Sequence, residues 1–91
     1  SVPFDKAPVI TAHASLACYL KYQDNPDMQE WVNGTFYKVI CKVNNSKFEQ
    51  AKEIENNVVL TESTLDNDEV CVVFCPREEY SYFFKKLSLW K

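Results

Sequence analysis

The sequence predicts a layered α/β domain, and three observations carry that prediction. Segments with helical spacing lie before, between and after segments of strand character, in the order helix, helix, strand, helix, strand, strand, helix. Hydrophobic residues make up 46% of the chain and charged residues 25%, a globular balance rather than that of a disordered segment. The 91 residues suit one domain, spanning 1–91, and no repeat, linker or low-complexity stretch divides them.

The first helix is expected over about Lys6 to Tyr22. Asp5 is placed to cap it, and Pro8 falls in its first turn, where a missing N–H costs little. Val9, Ala12, Leu16 and Leu20 recur at helical spacing and predict its buried stripe. Their neighbours Ala14, Ser15, Ala17 and Cys18 are small and would let the helix pack closely on a sheet. Asp24-Asn25-Pro26 ends it, because the proline biases Asn25 away from helical backbone. A short helix through Asp27–Val32 follows and stops at Asn33-Gly34.

Thr35 to Val43 predicts the clearest strand, being rich in β-branched and aromatic residues. Tyr37, Val39, Cys41 and Val43 form its core face; Phe36, Lys38, Ile40 and Lys42 form a partly covered one. Asn44-Asn45-Ser46 predicts the cap of a helix over Lys47–Ile54, with Phe48 and Ala51 inward. Val58-Val59-Leu60 reads as a short strand and Thr61–Asp68 as a polar, acidic loop. Glu69–Cys75 is an apolar strand expected to be central in its sheet. Pro76 is expected to open the last helix, with Tyr80, Phe83, Phe84 and Leu87 as its stripe, before Leu89-Trp90 near the end.

Composition removes several function classes. No apolar run approaches the roughly 18–20 residues of a membrane span, and Ser1–Asp5 has no signal-peptide pattern. Ten basic against 13 acidic residues give a net charge of −3, unlike the basic balance of dedicated nucleic-acid domains. A single Gly rules out a glycine-rich phosphate loop. A single His, with Cys18, Cys41, Cys71 and Cys75 in no Cys-x-x-Cys pair, gives no zinc pattern. No metal and no cofactor are therefore expected. Each cysteine sits in an apolar run, which reads as reduced core thiols in an intracellular, cytoplasmic protein. Asn33-Gly34-Thr35 and Asn44-Asn45-Ser46 match the glycosylation pattern and keep open the rival reading of a secreted domain with two disulfides.

His13 is the sole imidazole, and its chemistry suits either a hydrogen-bonded core residue or a general acid or base. Lys6 lies seven residues upstream, about 10 Å along a helix and on the same face. The pair could flank an anionic substrate. Lys85, Lys86 and Lys91, interleaved with Phe83, Phe84 and Trp90, suit either a nucleic-acid surface or a helix C-terminus. Asp66-Asn67-Asp68-Glu69 lacks the glycine of a calcium loop and reads as solvated.

Lys6-Ala7-Pro8-Val9-Ile10-Thr11-Ala12-His13-Ala14 resembles the first-helix motif of the type 2 peptidyl-tRNA hydrolases, where a lysine precedes a His-Ala pair by seven residues. Trp31-Val32-Asn33-Gly34 with Tyr37–Val43 looks like that family's second strand, and Val70–Pro76 is similar to its last. Phe83–Lys91 looks like its closing helix and tail, and the likeness is strongest to a divergent eukaryotic branch. The resemblance implies a three-layer α/β/α fold with a small mixed sheet, whose first strand would lie before Ser1. It also implies hydrolysis of the ester between peptide and tRNA, without a metal. His13 would activate water, Lys6 would hold the phosphate–ribose end, and Glu62 would stand in for the family's aspartate. Lys38, Lys42, Lys85 and Lys86 would contact the tRNA backbone.

The departures are specific. Ile10 stands where the family's enzymes carry a glutamine, and Glu62-Ser63-Thr64 stands where they carry an Asp-Ala-Gly sequence. Those changes keep a rival reading open: a non-catalytic member that binds RNA or protein. A lost first strand would also expose sheet edges and favour a homodimer. No membrane partner is expected.

Overall fold

The backbone breaks where the sequence supplies the chemistry to break it. The computed structural model describes residues 4–34, 36, 38–62, 65, 68–77 and 79–89. A 3-10 turn (Phe4–Lys6) leads into α1 (Ala7–Tyr22), with the proline in its first turn as expected. Lys6 holds the N-cap position in helical backbone and makes no side-chain cap. Asp5, expected as the cap, lies inside the 3-10 turn instead.

The buried side of α1 is Ile10, Ala14 and Cys18, spaced i, i+4, i+8 as a helix requires. The stripe expected to be buried faces outward: Val9, Leu16 and Leu20 are 68%, 58% and 56% exposed, and Ala12 is exposed with them. The helix is apolar nearly all round, so helical period alone does not fix which side turns inward. Side-chain size does, since small Ala14 and Cys18 allow close approach to the strands beneath.

α2 (Pro26–Asn33) is fixed at its start by Asn25, whose extended backbone precedes the proline. The Asn25 side chain accepts from the N–H groups of Asp27 (2.8 Å) and Met28 (3.4 Å). The helix ends at Gly34, whose N–H donates to the Trp31 carbonyl, and the position needs glycine because a Cβ there would sit 2.8 Å from the Glu30 carbonyl oxygen.

The strand expected over Thr35–Val43 is much shorter: β1 is Cys41–Lys42. Phe36 takes φ 53°, a left-handed backbone that no continuous strand accommodates, and its N–H donates to the Trp31 carbonyl at 3.0 Å. Val39, expected in the core, is exposed, whereas Cys41 and Val43 are half-buried. Thr35 and Tyr37 lie outside the described residues, as do Ser63, Thr64, Asp66, Asn67, Glu78, Trp90 and Lys91.

α3 (Asn45–Lys52) starts where the Asn44 side chain accepts from the Lys47 N–H at 2.9 Å, and Ala51 is buried as expected. β2 (Asn57–Glu62) and β3 (Asp68–Phe74) form an antiparallel hairpin running from Asn57↔Phe74 to Glu62↔Asp68, with a bulge between Leu60 and Thr61. Thr61, Glu62 and Asp68, expected in the loop, belong to these strands. Among the described residues β3 pairs with β2 alone, so it is not flanked on both sides as expected of a central strand.

α4 (Tyr82–Lys85) is a single turn and begins well after Pro76. β4 (Ser88–Leu89) pairs antiparallel with β1, Cys41↔Leu89 and Lys42↔Ser88. The described residues thus form a mixed α/β fold with four α-helices and two small antiparallel sheets.

The core joins Cys18 of α1, Met28 of α2 and Cys75 after β3, with Tyr22, Trp31, Val32 and Val73 packed around them. Asn57 ties three elements together. Its carbonyl accepts from Lys21 Nζ and the Tyr22 hydroxyl, both at 3.0 Å, and its Nδ2 donates to the Lys52 and Ile54 carbonyls. All four cysteines are free thiols. Among the described residues no helix is long and apolar enough to cross a membrane.

Candidate functional site

The Lys6–His13 pair is built on one uninterrupted helical run. Lys6 is half-buried at the start of α1, and His13 is exposed on its outward side, about 10 Å further along the axis. Glu62 is the half-buried last residue of β2. Lys21 and Tyr22 hold the C-terminal end of α1 over the first residue of β2. Ile10, on the inward side between Lys6 and His13, is buried in the core.

The four lysines divide into two places. Lys38 is committed to an aromatic pair: its Nζ lies 4.0 Å from the Phe36 ring centroid and 5.5 Å from that of Trp31. Those rings stack with centroids 4.6 Å apart. Lys42 sits in β1 opposite Ser88 of β4, and Lys85 and Lys86 stand at the end of α4, three and two residues before Ser88. Lys86 Nζ stands 5.1 Å from the Tyr82 ring. Nearby, Phe84 meets Phe74 and Tyr80 edge-on at 4.8 and 5.3 Å between centroids. Arg77 lies over the same rings, 5.4 Å from the Phe74 centroid and 5.5 Å from that of Phe84, and rings with cations beside them are an arrangement on which unpaired bases can stack.

Sequence reasoning missed Lys47 at this corner, where its Nζ lies 5.8 Å from the Phe83 ring. A signal was present: a lysine in the first turn of a helix opposes the helix dipole. It also missed an open groove of about 320 Å³ between α1 and α2. Leu16 and Tyr19 form one wall and Trp31, Val32 and Phe36 the other. The signal there was the uncharged run of α1 from Ala7 to Leu20.

The cysteines are poor nucleophiles. Burial pushes the Cys18 thiol up to about 11, helped by the neighbouring Cys75, and burial also raises Cys41, Cys71 and Cys75. A thiol held protonated at neutral pH supplies little thiolate. Among the described residues no three His, Cys, Asp or Glu side chains come together as metal ligands. Comparison of the chain with protein-family models, with curated proteins and with solved structures gives no match.

Proposed function

We propose that this chain is a cytoplasmic domain of the type 2 peptidyl-tRNA hydrolase kind, with that family's three-layer α/β/α architecture and small mixed sheet, acting on peptidyl-tRNA. The observation that carries the reading is the Lys6–His13 pair, seven residues apart on one helical run with His13 open to solvent. A water held by His13 Nδ1 or Nε2 attacks the ester carbonyl as the imidazole takes its proton. The tetrahedral centre then expels the ribose oxygen, which takes the proton back. Lys6 draws in the phosphate beside that ribose, and Glu62 stands in for the family's aspartate. Lys42, Lys85 and Lys86, with Lys47, bind the tRNA backbone, and Lys38 supports them from the Trp31–Phe36 pair. No metal or cofactor is required by this chemistry.

The test is release of peptide from an N-blocked aminoacyl-tRNA by the wild-type chain and by His13→Ala. Loss of about 100-fold or more in the variant is the magnitude expected for a general base. A folded wild-type chain without turnover overturns the hydrolase reading.

One observation favours a second reading, a non-catalytic member that binds RNA or protein. Ile10 occupies the place of the family's glutamine and is packed into the core, so that position offers no polar group to substrate. Retained tRNA binding without turnover would select this reading.

A further inference from the structure

In the hydrolase reading the ester lies at His13, with the ribose and its phosphate drawn toward Lys6, seven residues nearer the helix start. The acyl half of the substrate then points the other way, toward the C-terminal half of α1. The open groove of about 320 Å³ begins there. Ala12 precedes His13 in the chain, and Leu16, one turn further on, is its neighbour on the helix surface. Both line the groove, with Ser15 and Tyr19, and its lining includes no Asp, Glu, Lys or Arg. The facing wall is held by strained backbone. Phe36 takes φ 53°, a region that a bulky side chain seldom enters, and yet it is 52% exposed. The strain therefore does not serve burial of that ring in the core. What it achieves is the stack on Trp31, centroids 4.6 Å apart, across the groove from Leu16 and Tyr19. An observed backbone outlier beside a candidate site points to function.

We propose that this groove receives the acyl half of the substrate, as an apolar or aromatic side chain on the residue esterified to the ribose. The inference rests on the hydrolase reading and adds to it a preference among peptides. A volume near 320 Å³ stands at the low end for ligand pockets, room for one large side chain and the backbone beside it. Uncharged walls with two stacked rings gain by covering apolar surface. Ser15 and Tyr19 bring hydroxyls to the lining, donors and acceptors for the peptide backbone. A side chain seated there lies beside His13 and leaves the imidazole open to water.

The test charges one tRNA with N-acetylphenylalanine or with N-acetylglycine and compares kcat/KM, so that the tRNA contacts cancel. The wild-type chain is expected to prefer the phenylalanyl ester at least about tenfold, the lower range for an apolar pocket. Leu16→Glu, at a position 58% exposed, should bring that ratio toward one with the far-ultraviolet circular dichroism spectrum kept. Phe36→Gly should do the same, since glycine suits the left-handed backbone while removing the wall. Binding is read separately, from amide shifts in nuclear magnetic resonance on titration with N-acetylphenylalaninamide. Shifts at Ala12, Leu16, Trp31 and Phe36 are expected, and N-acetylglycinamide should cause none of them. Equal rates for the two esters, or a preference that both variants keep, overturns the proposal and leaves the hydrolase reading standing. A chain that turns over neither ester yet binds the amide in the groove overturns the hydrolysis and keeps the apolar site. A chain that does neither overturns both.

Discussion

At Cys18, burial decides both chemistry and response to pH. The thiol rises from 9.0 to about 11, first through burial and then through Cys75, while Lys21 and Arg77 pull it back. In the unfolded chain the same thiol ionises near its ordinary value, so above that pH the unfolded state holds fewer protons than the folded one. Stability therefore falls as pH climbs from about 9 toward 11. Urea unfolding across the alkaline range measures the fall, and Cys18→Ala should flatten it. Equal slopes in the two proteins would remove Cys18 as the cause. Arg77, half-buried near the same thiol, is held from several sides. Its guanidinium donates from Nη2 to the Glu55 carbonyl (3.0 Å) and from Nε to that of Cys75 (3.3 Å). It also lies 5.4 Å from the ring of Phe74 and 5.5 Å from that of Phe84, a geometry that an ammonium group would not reproduce.

The helices are set by two asparagine caps of unequal consequence. Asn25 satisfies two N–H groups of α2, and α2 delivers Met28, Trp31 and Val32 to the core. Asn44 satisfies one N–H of α3, whose buried contribution is Ala51. Asn25→Ala should therefore cost about 1–2 kcal/mol and Asn44→Ala about 0.5–1 kcal/mol, read from thermal or urea unfolding. Equal costs would show that the core packing of α2 does not depend on its cap. The Asn44 cap was legible in the sequence because capping is local chemistry, whereas Asn25 was read there only as the break before Pro26. The two strands β2 and β3 were legible too, from their apolar and β-branched runs, though not their pairing as an antiparallel hairpin. The phase of α1 was not, because Ala14 and Cys18 win the inner side by smallness, a property that apolar periodicity does not weigh. The strand over 35–43 failed at Phe36, whose left-handed backbone accompanies its stacking on Trp31. The last helix failed after Pro76, where Arg77 is held by carbonyls of residues 55 and 75. In the candidate site, the Lys6–His13 spacing could be read directly. The placing of Lys42 opposite Ser88 could not, since it depends on the distant pairing of β1 with β4.

For the molecule as a whole, stability is concentrated in a small centre. Met28 is 1% exposed and sits between Cys18 and Cys75. Met28→Ala is expected to cost about 2–4 kcal/mol, a large share of what so small a domain holds. Met28→Leu, which keeps the volume, should cost less than about 1.5 kcal/mol. The urea midpoints of the two variants check this, and a mild Met28→Ala would mean that the centre lies elsewhere. The three residues of that centre come from positions 18, 28 and 75, and this fixes an order of events during synthesis. A nascent chain that has emerged through α2 has two of the three and nothing to close over them. The hairpin adds a surface for α1, yet the lid of the core arrives only with Cys75. Every ribosome making this protein therefore carries an unclosed α1, apolar on both sides, for most of the time that the domain takes to translate.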